Sequence, residues 1–154
     1  MILRFKQRFF SWFDSYDIYD ENGNVYFTVE GLPAFGHEFH IRDKNGVLVG
    51  RLKQQLFRFL PHFEIYEGEK RIGEIIKEFS FFTPRFTMDF RGWEVEGDYM
   101  QWEYRIVCQG QIVADIHKVL FQLTDTYEIE TREENALHAL MAVLAIDAVK
   151  CSQK

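Results

Sequence analysis

Cysteine is scarce in this chain: Cys108 and Cys151 are the only two, far apart and outside any CxxC pair. That excludes a disulfide framework and favours a reducing compartment. No Asn-x-Ser/Thr acceptor occurs. No stretch approaches the ~20 apolar residues that a helical bilayer crossing needs. The run Phe9-Phe10-Ser11-Trp12-Phe13 is too short for the apolar centre of a signal peptide, and Asp14 and Asp17 follow it at once. The expected location is therefore cytoplasmic, with no transmembrane segment. Catalytic signatures are missing too. There is no G-x-S-x-G elbow, no P-loop and no G-x-G-x-x-G, and neither cysteine lies in a basic, histidine-rich stretch. No catalytic residue, cofactor or metal is expected.

What is present points to strands. Aromatics make up 17% of the 154 residues, 16 of them Phe, and large rings favour strands and wide cores. The length suits one domain, residues 1–154, with a sizeable core. A net charge of −6 repels phosphate backbones, so nucleic acid is not an expected partner.

Asn22-Gly23 and Asn45-Gly46 sit between β-type residues, the pattern of a two-residue type I′ hairpin turn; Gly68 and Gly110 are weaker candidates. The signals repeat. Ile18-x-Asp20-x-Asn22-Gly23 recurs 23 residues later as Ile41-x-Asp43-x-Asn45-Gly46. The same shift carries Gly50-x-Leu52 onto Gly73-x-Ile75, and Phe59-x-Pro61-x-Phe63-x-Ile65 onto Phe82-x-Pro84-x-Phe86-x-Met88. A fainter echo, 41 residues on, relates Ile75 and Met88 to Ile116 and Ile129. A repeated meander of about twelve short strands over residues 3–130 follows. Val95-Glu96-Gly97-Asp98 reads as a further turn, and the two prolines as strand starts, bulges or edges.

The last segment changes character. Thr131-Arg132-Glu133-Glu134 has the form of a capping box, in which Thr131 caps the helix and Glu134 reaches back to the Thr131 amide. A helix over about 132–149 follows, roughly 27 Å long at 1.5 Å per residue. His138 and Asp147 point to opposite sides, and everything between them is apolar. A helix apolar all round must be surrounded, and the only material available is the strands. Alanines at 136, 139, 142, 145 and 148 keep it slim. The expected fold is mainly β: a closed antiparallel barrel enclosing one C-terminal helix. Asp147 lies near the helix end that disfavours an anion, so a compensating partner and a structural role are expected for it.

Few residues suggest chemistry. His37-Glu38-Phe39-His40 imitates a zinc motif, but the i, i+3 spacing on loop or strand does not converge two imidazoles; exposed loop histidines are the simpler reading. Arg4, Lys6 and Arg8 alternate with Leu3, Phe5 and Phe9, so a strand would carry one basic face. That face, with Phe9, Phe10, Trp12 and Phe13 as a wedge, is a candidate contact for anionic lipid. A first barrel strand with its solvated side outward is the plainer alternative.

Several segments together resemble the LURP-one-related family in its short bacterial form: IYDENG at 18–23, IRDKNGVL at 41–48, VEGD at 95–98, IVADIHK at 112–118, DTYEI at 125–129 and the helix end LAID at 144–147. The likeness spans nearly the whole chain. It implies a barrel with a buried terminal helix, as in the Tubby C-terminal domain and the phospholipid scramblases. The family brings no agreed catalytic residues. Tubby domains bind phosphoinositides through basic surface residues, a site with no position-by-position counterpart here. The expected function is a non-enzymatic binding or scaffold module for anionic lipid head groups or a protein partner. Two alternatives are an enzyme whose site is built from strand-end acids and histidines, and a carrier of a small apolar ligand. A helix filling the lumen argues against the carrier.

Overall fold

A computed structural model of the chain describes residues 1–6, 15–34, 36–56, 58–78, 85–119 and 126–152. Twelve strands run in sequence order around a closed barrel: β1 (Ile2–Lys6), β2 (Ser15–Tyr19), β3 (Val25–Ala34), β4 (Gly36–Asp43), β5 (Leu48–Gln54), β6 (His62–Glu67), β7 (Lys70–Glu78), β8 (Arg85–Met88), β9 (Trp93–Asp98), β10 (Glu103–Cys108), β11 (Gln111–Val119) and β12 (Thr126–Thr131). Each pairs antiparallel with its sequence neighbours, and β12 closes on β1 with Leu3 opposite Ile129. Among the described residues the ring is closed, with β1 meeting β2 at a single pair, Arg4 and Tyr19.

The alternation sorts side chains cleanly. Leu3, Phe5, Ile18, Val29, Ile41, Leu52, Phe63, Ile65, Ile75, Phe86, Ile106, Ile116 and Ile129 are buried. The helix α1 (Ala136–Ser152) fills the space they enclose. Its alanines 136, 139, 142, 145 and 148 are buried, and so are Leu140, Met141, Val143, Leu144 and Ile146. Burial on every side agrees with a helix that has no polar stripe. Gly50 allows the wall to come close, because a Cβ there would lie 2.3 Å from the Met141 methyl.

The repeat is a repeated hairpin. A register shift follows Ile18, Ile41 and Ile65 in β2, β4 and β6 in turn. The fainter echo is also structural, since Ile75 pairs with Met88 as Ile116 pairs with Ile129. Phe59 breaks the pattern. β6 begins only at His62, so Phe59 falls before the strand and is 92% exposed.

Local details differ from the sequence reading in four places. Asn22 and Asn45 do not have the positive φ of a type I′ turn; only Gly23 (82°) and Gly46 (79°) do. Asp20 and Asp43 decide this. Each Oδ1 accepts from two backbone amides, those of Asn22 and Asn24 or of Asn45 and Val47, closing a longer loop. Two consecutive positive φ angles occur instead at Gln109 (50°) and Gly110 (77°). Residues 95–98 are strand, and the turn lies just beyond, where Asp98 accepts from Met100 and Gln101 in a 3-10 turn (Tyr99–Gln101). His37 and His40 stand in strand β4, half-buried rather than on an exposed loop.

The fourth difference is the capping box. The Thr131 hydroxyl donates to the Val113 carbonyl (2.8 Å) and its amide to Met1 O (3.0 Å), because Thr131 is still the last residue of β12. A 3-10 turn (Glu133–Asn135) leads into α1, and Glu134 faces Arg132 at 3.9 Å rather than the Thr131 amide.

Candidate functional site

The antiparallel weave gives the barrel two unlike ends. At one, tight turns join β2 to β3, β4 to β5, β6 to β7, β8 to β9 and β10 to β11, and α1 enters. At the other, β5 reaches β6 through residues 55–61, β9 reaches β10 through the 3-10 turn, and α1 finishes.

At the entry end a polar network fixes the start of the helix. Arg91, in the β8–β9 turn, donates through Nη1 to His138 Nδ1 (2.8 Å) and through Nη2 to Asn135 Oδ1 (2.8 Å). Arginine only donates, so Nδ1 accepts and the neutral ring carries its proton on Nε2. That nitrogen donates to Glu67 Oε1, at the end of β6 (2.5 Å). The Arg91 guanidinium lies 4.2 Å over the Trp93 ring, and Phe90 meets the imidazole edge-on at 5.1 Å. Burial pulls the His138 pKa below its usual 6.5; Glu67 pulls the other way and Arg91 adds to the lowering. An acid, a histidine and an arginine thus converge, an arrangement that resembles catalytic machinery. Yet both imidazole nitrogens are engaged inside the protein, leaving neither to take a proton from a substrate.

At the other end, the described residues of the loop between β5 and β6, 55–56 and 58–61, are tied down by hydrogen bonds. Gln55 Nε2 donates to Glu64 Oε1 and to Glu74 Oε1, each at 2.8 Å, and Gln55 Oε1 accepts from Arg58 Nε at 2.8 Å. The Gln55 amide bonds His62 O (2.9 Å), His62 Nδ1 meets Leu60 O (2.7 Å), and Lys77 N donates to Pro61 O (3.0 Å). The Tyr66 hydroxyl and then Gln55 hold the Glu64 carboxyl below its usual pKa. The two carboxylates are therefore turned to internal partners, and Arg71 also pairs with Glu74 at 2.7 Å. Upon this base sit Leu56, Arg58 and Phe59, all exposed, with Lys53 exposed at the end of β5. Phe59 is an aromatic ring in solvent on a loop that does not need it for packing.

The core beneath this end is less well satisfied. Trp102 adopts a left-handed conformation (φ 58°, ψ 39°), and its indole lies 3.9 Å from the Tyr127 ring, with the Lys150 ammonium 4.3 Å over it. Trp102 Nε1 and the Tyr104 hydroxyl are buried without a hydrogen-bond partner. Burial, then the Asp147 charge, raises the Tyr104 pKa well above 10. The charge of the half-buried Asp147 is therefore felt at the buried Tyr104 hydroxyl.

The basic strand suggested by sequence is only partly in view. β1 turns Leu3 and Phe5 inward and Arg4 outward. Arg4 is committed: its Nε pairs with Glu128 Oε1 at 2.7 Å, and Glu128 Oε2 also faces His117 at 3.2 Å. Lys6 pairs through its backbone with Thr126. Its side chain lies outside the described residues, as do Arg8, Phe9, Phe10, Trp12 and Phe13. Among the described residues, no group of three or more His, Cys, Asp or Glu side chains is placed to hold a metal ion. No described helix is long and apolar enough to cross a membrane.

A closed barrel of twelve antiparallel strands threaded by its own terminal helix defines the class of protein. Within that class the chain belongs to the LURP-one-related family, whose model matches residues 1–146. It is 28% identical over 146 residues to Uncharacterized protein YxjI of Bacillus subtilis (strain 168), covering 94% of this chain and 90% of that protein. The fold is similar to the X-ray structure of an Arabidopsis thaliana protein, AT5G01750, with TM-score 0.66 and 17% identity over 95% of this chain and 89% of the other.

Proposed function

We propose that this protein is a non-enzymatic binding module that docks peripherally on anionic lipid through the pinned loop between β5 and β6. The observation that carries the reading is Phe59, 92% exposed beside Arg58 on a loop tied down by Gln55. An exposed aromatic next to a cation suits the membrane interface, where the ring enters the acyl boundary and the guanidinium meets phosphate. Pinning lowers the entropy lost on docking. The exposed Leu56 and Met100 lie at the same end.

The alternatives are less well supported. With α1 inside the barrel, the lumen is occupied by side chains rather than open to an apolar ligand. The most enzyme-like constellation among the described residues, Glu67–His138–Arg91, spends both imidazole nitrogens on internal bonds.

Co-sedimentation with vesicles tests the reading. The expected result is binding to vesicles containing anionic phospholipid, weaker at near-physiological than at low salt, and none to neutral vesicles. Phe59→Ser and Arg58→Gln should each reduce it at least several-fold while leaving the melting temperature in place. Equal binding by wild type and Phe59→Ser, or no binding to any vesicle, overturns the proposal and directs the search to protein partners.

A further inference from the structure

We propose that the Glu67–His138–Arg91 network is an acid-sensitive latch that loosens the hold of the β8–β9 turn on the start of α1 when His138 takes up a proton. The geometry makes the bond to Arg91 conditional on a neutral ring. His138 Nδ1 accepts from Arg91 Nη1 only while it carries a lone pair. A second proton on the ring fills that lone pair and sets an imidazolium against a guanidinium at 2.8 Å, with no acceptor between them. On the other side, the bond to Glu67 survives and strengthens, because a charged donor then faces a carboxylate. Protonation therefore moves the ring's allegiance from the turn to β6.

The groups around the ring are accounted for on each packed element: Glu67 from β6, Arg91 from the turn, and the uncharged Phe90 and Trp93 rings. Asn135, just ahead of the helix, holds the other arm of Arg91. Asp89 of the same turn accepts from the Glu74 amide at 2.8 Å, and the charges that act on His138 are those of Glu67 and Arg91. Once Nδ1 is lost, Arg91 keeps only Asn135 and the Trp93 face on this side.

The sign follows from linkage. Burial and Arg91 hold His138 below its ordinary 6.5 in the latched state; opening removes Arg91 and keeps Glu67, so the pKa rises. The opened state then binds more protons, so the latch is complete above the opened pKa and is lost as pH falls from there through the latched pKa. One proton taken up makes the opening constant rise by up to tenfold per pH unit in that window.

Amide hydrogen exchange on the full chain between pH 7.5 and 5, corrected for intrinsic rates, tests this. Wild type should lose protection in residues 89–92 and 135–140 by up to tenfold per unit within that window. His138→Gln, which keeps a donor and an acceptor but does not titrate, should show no such pH response. His37, whose pKa burial also lowers, stands in β4 and would act elsewhere. Loss of the same protection in His138→Gln, or loss confined to other segments, overturns the latch. Should that variant fail to fold, a wild-type His138 ring whose NMR titration does not track the local exchange overturns it equally.

Discussion

The two ends of this barrel solve opposite problems with similar residues. At the helix-entry end, arginine, histidine, glutamate and asparagine are drawn together until the inward-facing polar groups of the latch have partners. At the far end, a tryptophan N–H and a tyrosine hydroxyl are buried without one, and a phenylalanine stands in solvent. Unsatisfied groups are tolerated where a structure has something other than stability to serve. On the proposed reading, the first end anchors the helix and the second makes contact with other molecules. Single substitutions should then have opposite consequences at the two ends.

The largest effect is expected at the anchored end. Arg91→Ala deletes bonds to His138 and Asn135 and the contact with Trp93, leaving two half-buried acceptors without their donor. A loss of about 2–4 kcal/mol in denaturant unfolding is expected, from the cost of stranding such groups. A loss below about 0.5 kcal/mol, the range of ordinary surface changes, would show that the network is decoration.

At the far end the sign reverses. Tyr104 is 2% exposed and its hydroxyl has no hydrogen-bond partner. Tyr104→Phe removes a buried orphan while keeping the ring, so stability should rise by about 1 kcal/mol. A clear fall in the melting temperature would mean that the hydroxyl is satisfied in solution. The two ends would then be equally well built, and the comparison would lose its meaning.

Sequence periodicity reached the barrel and its threaded helix because both are written in short-range patterns. The 23-residue echo from Ile18 to Ile41 is a hairpin with a register shift, met again 24 residues on after Ile65, and the largely apolar helix at 136–152 required an enclosing wall. What it missed depends on contacts between distant residues. Glu67 and Arg91 lie 71 and 47 positions from His138, so nothing local marks them as partners. The only clue was a histidine near the start of a largely apolar helix. Thr131 failed as a cap because β11 competes for its hydroxyl through Val113. Phe59 kept the repeat's phase but lost its strand, since Gln55 and Pro61 hold the chain in a loop until His62. Arg4 was correctly seen as the outward residue of its strand, but the cross-strand Glu128 that engages it could not be seen.

The smallest effect sharpens the comparison most, because it separates stability from presentation. Gln55→Ala removes the amide that bridges Glu64 and Glu74 and the carbonyl that holds Arg58. All of these groups are near solvent, and water replaces most of what is lost, so global stability should fall by about 1 kcal/mol or less. The loop itself should respond far more. Without its pin, the described loop residues 55–56 and 58–61 should open more often, and limited proteolysis should cut there while the barrel stays intact. Vesicle binding should weaken as well, although Phe59 and Arg58 remain, because their ordering must then be supplied on docking. If cleavage appears but binding does not change, side-chain chemistry alone directs the contact and the pinning is incidental. If neither changes, the backbone bonds of His62 and Pro61 already suffice to hold the loop, and Gln55 serves the strand face beneath it.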